Sequence, residues 1–229
     1  MDPNELIKAA PEIAKGAGAL AAAIPFTGIV KRMLGPAADE VAQMWVDQVR
    51  VYRYGRQLKL LEKAEKMAHD AGFTPQAVPP KILFPLLEGA SFEEDENLHD
   101  MWAALLANAS SPENSEKVRP GFLATLKQLA PDEALILRWM LDQLPTTAWR
   151  IPISYNGIEV AYEKLFGELK AVGHRPIIVD LRCRTCASGL VVAGLIEKTL
   201  KSETDGDGYA FTWYGYEFVA ACRPPKPKD

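Results

Sequence analysis

Three cysteines, three histidines and a cluster of acids are the residues through which this chain could do chemistry. Cys183 and Cys186 form a C-x-x-C pair that follows the apolar run Ile177-Ile178-Val179. At a helix start such a pair suits thiol–disulfide exchange, because the helix end lowers a thiol pKa. Here no βαβ pattern surrounds it. Zinc would need four ligands, His174 and Cys222 are the only obvious additions, and there is no second C-x-x-C. The pair reads better as small apolar residues buried on a helix. His69, His99 and His174 are scattered. Asp95, Glu96 and Asp100 include an i,i+4 carboxylate pair, but with no catalytic partner nearby they read as helix-start charge. Gly16-Ala17-Gly18 lacks the lysine of a phosphate loop. The expectation is no catalytic residue, no metal, no cofactor and no enzymatic activity.

Two basic groups suit binding instead. Arg50, Arg53, Arg56 and Lys59 recur every three or four residues, continue to Lys63 and Lys66, and are interleaved with Tyr52 and Tyr54. Such a stripe can meet an anionic surface, although a solvated helix face neutralised in part by Glu62 and Glu65 is the plainer reading. Arg182, Arg184, Lys198 and Lys201 are candidates for contact with nucleic acid or with a partner. Against DNA, residues 131–229 hold twelve Lys and Arg against thirteen Asp and Glu, with Glu203, Asp205 and Asp207 grouped together. Phosphate neutralisation supplies most DNA affinity, so this balance disfavours it. A protein partner or self-association is the better expectation.

These residues must be carried by a chain of 229 residues with 48% hydrophobic content and net charge −4, enough for a sizeable core in one or two domains. Three cysteines are too few for a disulfide scaffold and fit a reducing compartment. The N-terminus opens acidic, and Lys8, Glu12 and Lys15 interrupt its first apolar residues, which is not a secretory signal pattern. Residues 1–34 form an Ala- and Gly-rich amphipathic segment, uncharged from Gly16 to Val30. That run is shorter than the roughly 20 residues of a span and is broken by Pro25 and Gly28. Leu20, Ile24, Phe26 and Ile29 would carry its packing against another helix or subunit, or its insertion into a membrane interface.

Residues 35–109 read as a helical core. A long helix runs from Pro36 to a stop at Gly72, with Gly55 as a place to kink or divide. A short helix covers Lys81–Ala90. Ser91 with Glu94 forms a capping box, and the acids 93–96 fill the first turn of the next helix. Leu98, Met101, Trp102, Leu105, Leu106 and Ala109 make its apolar face. Residues 110–119 are a polar linker. In residues 120–229, helices are expected over Pro120–Leu129, Pro131–Gln143 and Gly157–Val172, with a strand over Arg150–Ser154 between the last two. Asp180 is expected to cap a helix reaching Val192. A strand pair over Leu195–Leu200 and Tyr209–Trp213 and a last helix over Tyr214–Cys222 complete the order of a winged helix-turn-helix.

Several separated blocks resemble the bacterial abortive infection alpha family. They are Leu60-Leu61-Glu62-Lys63-Ala64, Val78 to Leu83, Pro85 to Ser91, Met101 to Ala109 and Leu126 to Ala134, with touches at Ala193-Gly194-Leu195-Ile196 and Phe211-Thr212. The likeness runs from Gly35 to Met140. It implies a role in defence against phage, where infection stops at the cost of the host cell, and it carries no catalytic residue. The sequence is thus read as a mainly α protein: an N-terminal helical domain with a long helix, and a C-terminal winged-helix (α+β) domain. It is expected to be cytoplasmic, to associate with membrane when active, and to act through partner sensing and assembly or membrane disturbance. The rivals are a DNA-binding regulator and a structural subunit of a larger defence assembly.

Overall fold

The computed structural model describes residues 51–144, 152–165, 176–199 and 208–227. Among these residues the fold is mainly helical with one small antiparallel sheet. The chain divides into two compact units, residues 1–127 with 221–229, and residues 128–220.

In the first unit, α1 (Val51–Asp70) packs on α2 (Pro80–Ser91) and α3 (Glu96–Ala109), which also touch each other. The α1 side chains at 57, 60, 61, 64 and 68 are buried, which is the spacing of one helical face. Gly55 lies inside α1 without breaking it. The expected stop at Gly72 is real: its φ is +77°, its N–H donates to His69, and Phe73 N–H donates to Ala68. These are the two bonds of a Schellman ending, which needs a left-handed residue and so favours glycine.

The helix start expected at Ser91 is corrected. Ser91 is the last residue of α2, where its buried hydroxyl donates to the Glu88 carbonyl. Asp95 caps α3 instead, its Oδ1 accepting from Asn97 N–H at 2.9 Å and Leu98 N–H at 3.0 Å. Serine and aspartate cap equally well. The choice falls to packing, because α2 buries Gly89, Ala90 and Ser91 as its final turn. The core of this unit gathers Leu60, Leu61, Leu83, Leu86, Leu87 and Trp102, each at most 2% exposed. A short 3-10 turn (Ser115–Lys117) and α4 (Pro120–Gln128) follow, α4 burying Phe122, Leu123 and Leu126.

The second unit holds α5 (Pro131–Asp142), β1 (Ile153–Ser154), α6 (Tyr155–Leu165), α7 (Pro176–Val192), β2 (Ile196–Thr199) and β3 (Gly208–Phe211), and most of α8 (Trp213–Ala221). Glu133 closes the start of α5 by accepting from Ala130 N–H at 2.9 Å. The three helices α5, α6 and α7 pack on one another. Strand order is β1-β3-β2, with Ile153 opposite Tyr209 and Ile196 opposite Phe211. Asp180 does not cap α7, which begins four residues earlier at Pro176, a residue suited to a first helical position. Gly194, at φ +70°, ends α7 with the same pair of bonds seen at Gly72.

Candidate functional site

Among the described residues, the largest polar constellation joins α1 to the start of α3. Arg56, Lys59 and Lys63 recur at three- and four-residue spacing on α1, so they share one face. All three reach the Glu96 carboxylate, at 2.7 Å for Arg56 Nη1 and 2.9 Å for each lysine Nζ. Lys63 also pairs with Asp100, one helical turn on from Glu96. Arg53 lies at the end of the same stripe. Its Nε donates to the Ser91 hydroxyl at 3.0 Å, and its guanidinium carbon stands 4.0 Å from the Phe92 ring centroid. Three cationic hydrogen bonds hold the Glu96 carboxyl well below the usual carboxylate range. This group is a fixed anion and gives up no proton at neutral pH.

His99 sits beneath this network. It is fully buried, and its Nε2 lies 3.1 Å from the Arg56 carbonyl oxygen. That oxygen can only accept, so Nε2 carries the proton and Nδ1 is the unprotonated nitrogen. Burial, reinforced by the nearby Arg56 and Lys63 charges, pushes the imidazole pKa down to about 4. Nδ1, the Arg56 Nε and Nη2 atoms and Trp102 Nε1 are all buried without a hydrogen-bond partner. A base at His99 Nδ1 would have no route to a substrate, so the cluster serves to clasp α1 against α3.

A second clasp holds the end of the chain. Asn108, 6% exposed near the end of α3, donates through Nδ2 to the carbonyls of Ala221 at 2.9 Å and Arg223 at 2.8 Å. Its Oδ1 accepts from Asn114 Nδ2 at 3.3 Å. Ala71, Phe73, Ser111, Asn114 and Pro225 help to line a cavity of about 30 Å³ in the same unit, room for about one ordered water.

Cys183 and Cys186 are buried thiols on α7. Burial, with the Asp132 and Glu133 charges, pushes the Cys186 thiol up, and burial pushes Cys222 up as well. A nucleophilic or metal-binding cysteine needs the opposite shift. Among the described residues no group of three or more His, Cys, Asp or Glu is placed to hold a metal ion.

The sequence-predicted binding residues separate into three sets. Arg53, Arg56 and Lys59 come together on α1, and their partners lie on other helices rather than in solvent. Arg182 and Arg184 are exposed on α7, and Lys198 is exposed on β2. Arg50, Lys201, Leu20, Ile24, Phe26 and Ile29 lie outside the described residues, as do Glu203, Asp205 and Asp207. Sequence reasoning missed Glu96 as the partner of the basic stripe and Asn108 as a clasp. The signal for the first was available: carboxylates at 96 and 100 repeat at the helical spacing of the cations on α1. The signal for the second was one amide on an otherwise apolar helix face. Among the described residues, no helix is long and apolar enough to cross a membrane.

A family model described as abortive infection alpha matches residues 55–221, a stretch that takes in parts of both units. No curated protein and no solved structure matches the chain.

Proposed function

We propose that this chain, which belongs to the abortive infection alpha family, is a cytoplasmic phage-defence protein that works without catalysis. It acts through partner sensing and through assembly or membrane disturbance. The observation that carries this reading is the family match across residues 55–221. The geometry supports its non-enzymatic side, since the best-formed polar cluster ties Glu96 into three ion pairs and buries His99. The uncharged segment from Gly16 to Val30 is the part assigned to assembly or membrane contact. Phage plating on cells expressing the chain, with host membrane potential followed during infection, tests the reading. Protection accompanied by early loss of potential supports membrane disturbance, provided a chain starting at Gly35 loses both. Unchanged plaque counts across a varied phage panel would overturn the defence role.

One observation favours a second reading, a winged-helix DNA-binding regulator. The order α5-β1-α6-α7-β2-β3 with sheet order β1-β3-β2 supports a winged helix in the second unit, with α7 as its recognition helix. Arg182 and Arg184 would then contact DNA near the start of α7, with Lys198 and Lys201 on phosphates. The charge balance of residues 128–220, nine Lys and Arg against twelve Asp and Glu, opposes it. Salt-dependent duplex binding that disappears in Arg182→Ala/Arg184→Ala decides for the regulator; its absence decides against.

A further inference from the structure

Residues 223–227 sit in the first unit much as a peptide ligand would. That unit runs to residue 127, and the chain rejoins it at 221 after residues 128–220 have formed the second unit. The rejoining segment therefore meets residues remote from it in sequence. Asn108 Nδ2 donates to the carbonyls of Ala221 at 2.9 Å and Arg223 at 2.8 Å. Two residues on, Pro225 is buried while its neighbours Pro224 and Lys226 are exposed. Pro225 and Lys226 line the cavity of about 30 Å³ together with Ala71, Phe73, Ser111 and Asn114.

This is main-chain recognition with one side-chain anchor. Every residue carries a carbonyl, so Asn108 fixes the path of the segment and leaves its sequence open. Selectivity falls to the place of Pro225, lined by Ala71 and Phe73 just past α1 and by Ser111 and Asn114 just past α3. Prolines at 224, 225 and 227 fix φ and have no N–H, so they keep the segment out of helices and ladders. A segment restricted in this way loses little freedom on docking, which is what suits proline-rich peptides to recognition by grooves.

We propose that this seat is a docking site for an extended peptide built around one proline. Residues 223–227 are its resident occupant, which a partner's segment of the same chemistry displaces. Vacating the seat takes only the Arg223 bond and the Pro225 anchor. Asn108 keeps the Ala221 carbonyl at the end of α8, so the opening is a local event. The resident also sets the affinity for the partner, because an incoming peptide binds only the fraction of chains whose seat is open.

As the place of partner sensing the site rests on the proposed defence role, but the binding is measured without phage. The probe is an acetylated, fluorescent peptide of residues 223–229, titrated into the full chain and followed by anisotropy. The parent should bind it weakly. Pro225→Glu in the chain evicts the resident and should bind the same peptide on the order of tenfold tighter. Phe73→Ala added to Pro225→Glu removes part of the seat and should lose that gain, with helical circular dichroism unchanged. A peptide itself carrying Pro225→Glu should not bind. No binding by the Pro225→Glu chain, equal binding by parent and Pro225→Glu, or binding retained in the double variant would each overturn the site. Failure of all peptide binding in a chain that still protects cells would remove the site and leave the defence role. Peptide binding as expected in a chain that gives no protection would keep the site and remove that role.

Discussion

Arg56 Nη1 donates to Glu96 Oε1 at 2.7 Å across 40 residues of sequence, and that bond converts a basic stripe into a helix–helix joint. Lys59 and Lys63 share the same carboxylate, so one anion organises three cations that would otherwise repel along α1. Glu96 is 53% exposed, and solvent screening limits what the network contributes. Glu96→Gln should therefore cost of order 1 kcal/mol at neutral pH. The pH dependence has a definite sign. The folded-state pKa is depressed, so the stabilisation is present above the unfolded value of roughly 4.3 and is lost as pH falls toward the folded value. Thermal melts of parent and Glu96→Gln should differ at pH 7 and converge in strong acid. A gap that stays constant with pH would contradict this.

His99 gives a separate window. Its folded pKa is depressed to about 4 against a usual value near 6.5, chiefly by burial. Between those values the unfolded chain binds a proton that the folded one refuses, so stability is intact above about pH 6.5 and drains as pH falls toward 4. The His99 imidazole signals in an NMR titration should stay in the neutral position until the pH approaches 4. A midpoint near 6.5 would mean that the site is open to water.

Gly89 and Trp102 fit without room to spare. A Cβ at position 89 would stand 2.5 Å from the indole Cη2 and 2.7 Å from Cζ2, and Trp102 is only 1% exposed. Gly89→Ala should destabilise by about 1–3 kcal/mol, the usual cost of overpacking. Gly55→Ala is the matched contrast. It lies inside α1 with nothing within 4 Å of the added atom, so helix propensity alone should raise stability by about 0.5–1 kcal/mol. Urea unfolding of both variants checks the pair, which should move in opposite directions.

These positions also show what the sequence made legible. Apolar periodicity located α3, whose buried face includes Leu98, Trp102, Leu105 and Leu106, and Gly72 marked a real stop for α1. The boundary between α2 and α3 was not legible, since Ser91 and Asp95 have equal local claims to cap and only the burial of Ser91 under α1 separates them. Asp180 failed as a cap for a related reason: Pro176 offers an earlier start. The basic stripe was visible, yet its partner was not. Spacing gives the face a charge lies on, and only the packing of α1 on α3 says that Glu96 stands opposite.

Asn108 ties the end of α3 to the segment around Ala221 and Arg223. Its amide serves the carbonyls of Ala104, Ala221 and Arg223, and the last of these lies 115 residues away. Asn108→Ala removes the side-chain donor from the Ala221 and Arg223 carbonyls, at a cost of about 1–3 kcal/mol. It should also free the segment after Ala221 locally, before global unfolding. Hydrogen exchange resolved by mass spectrometry separates the two effects. In the variant, peptides covering 221–227 should lose protection by a larger factor than peptides from α1. Equal loss across both regions would show that Asn108 stabilises the unit as a whole and does not clasp its terminus.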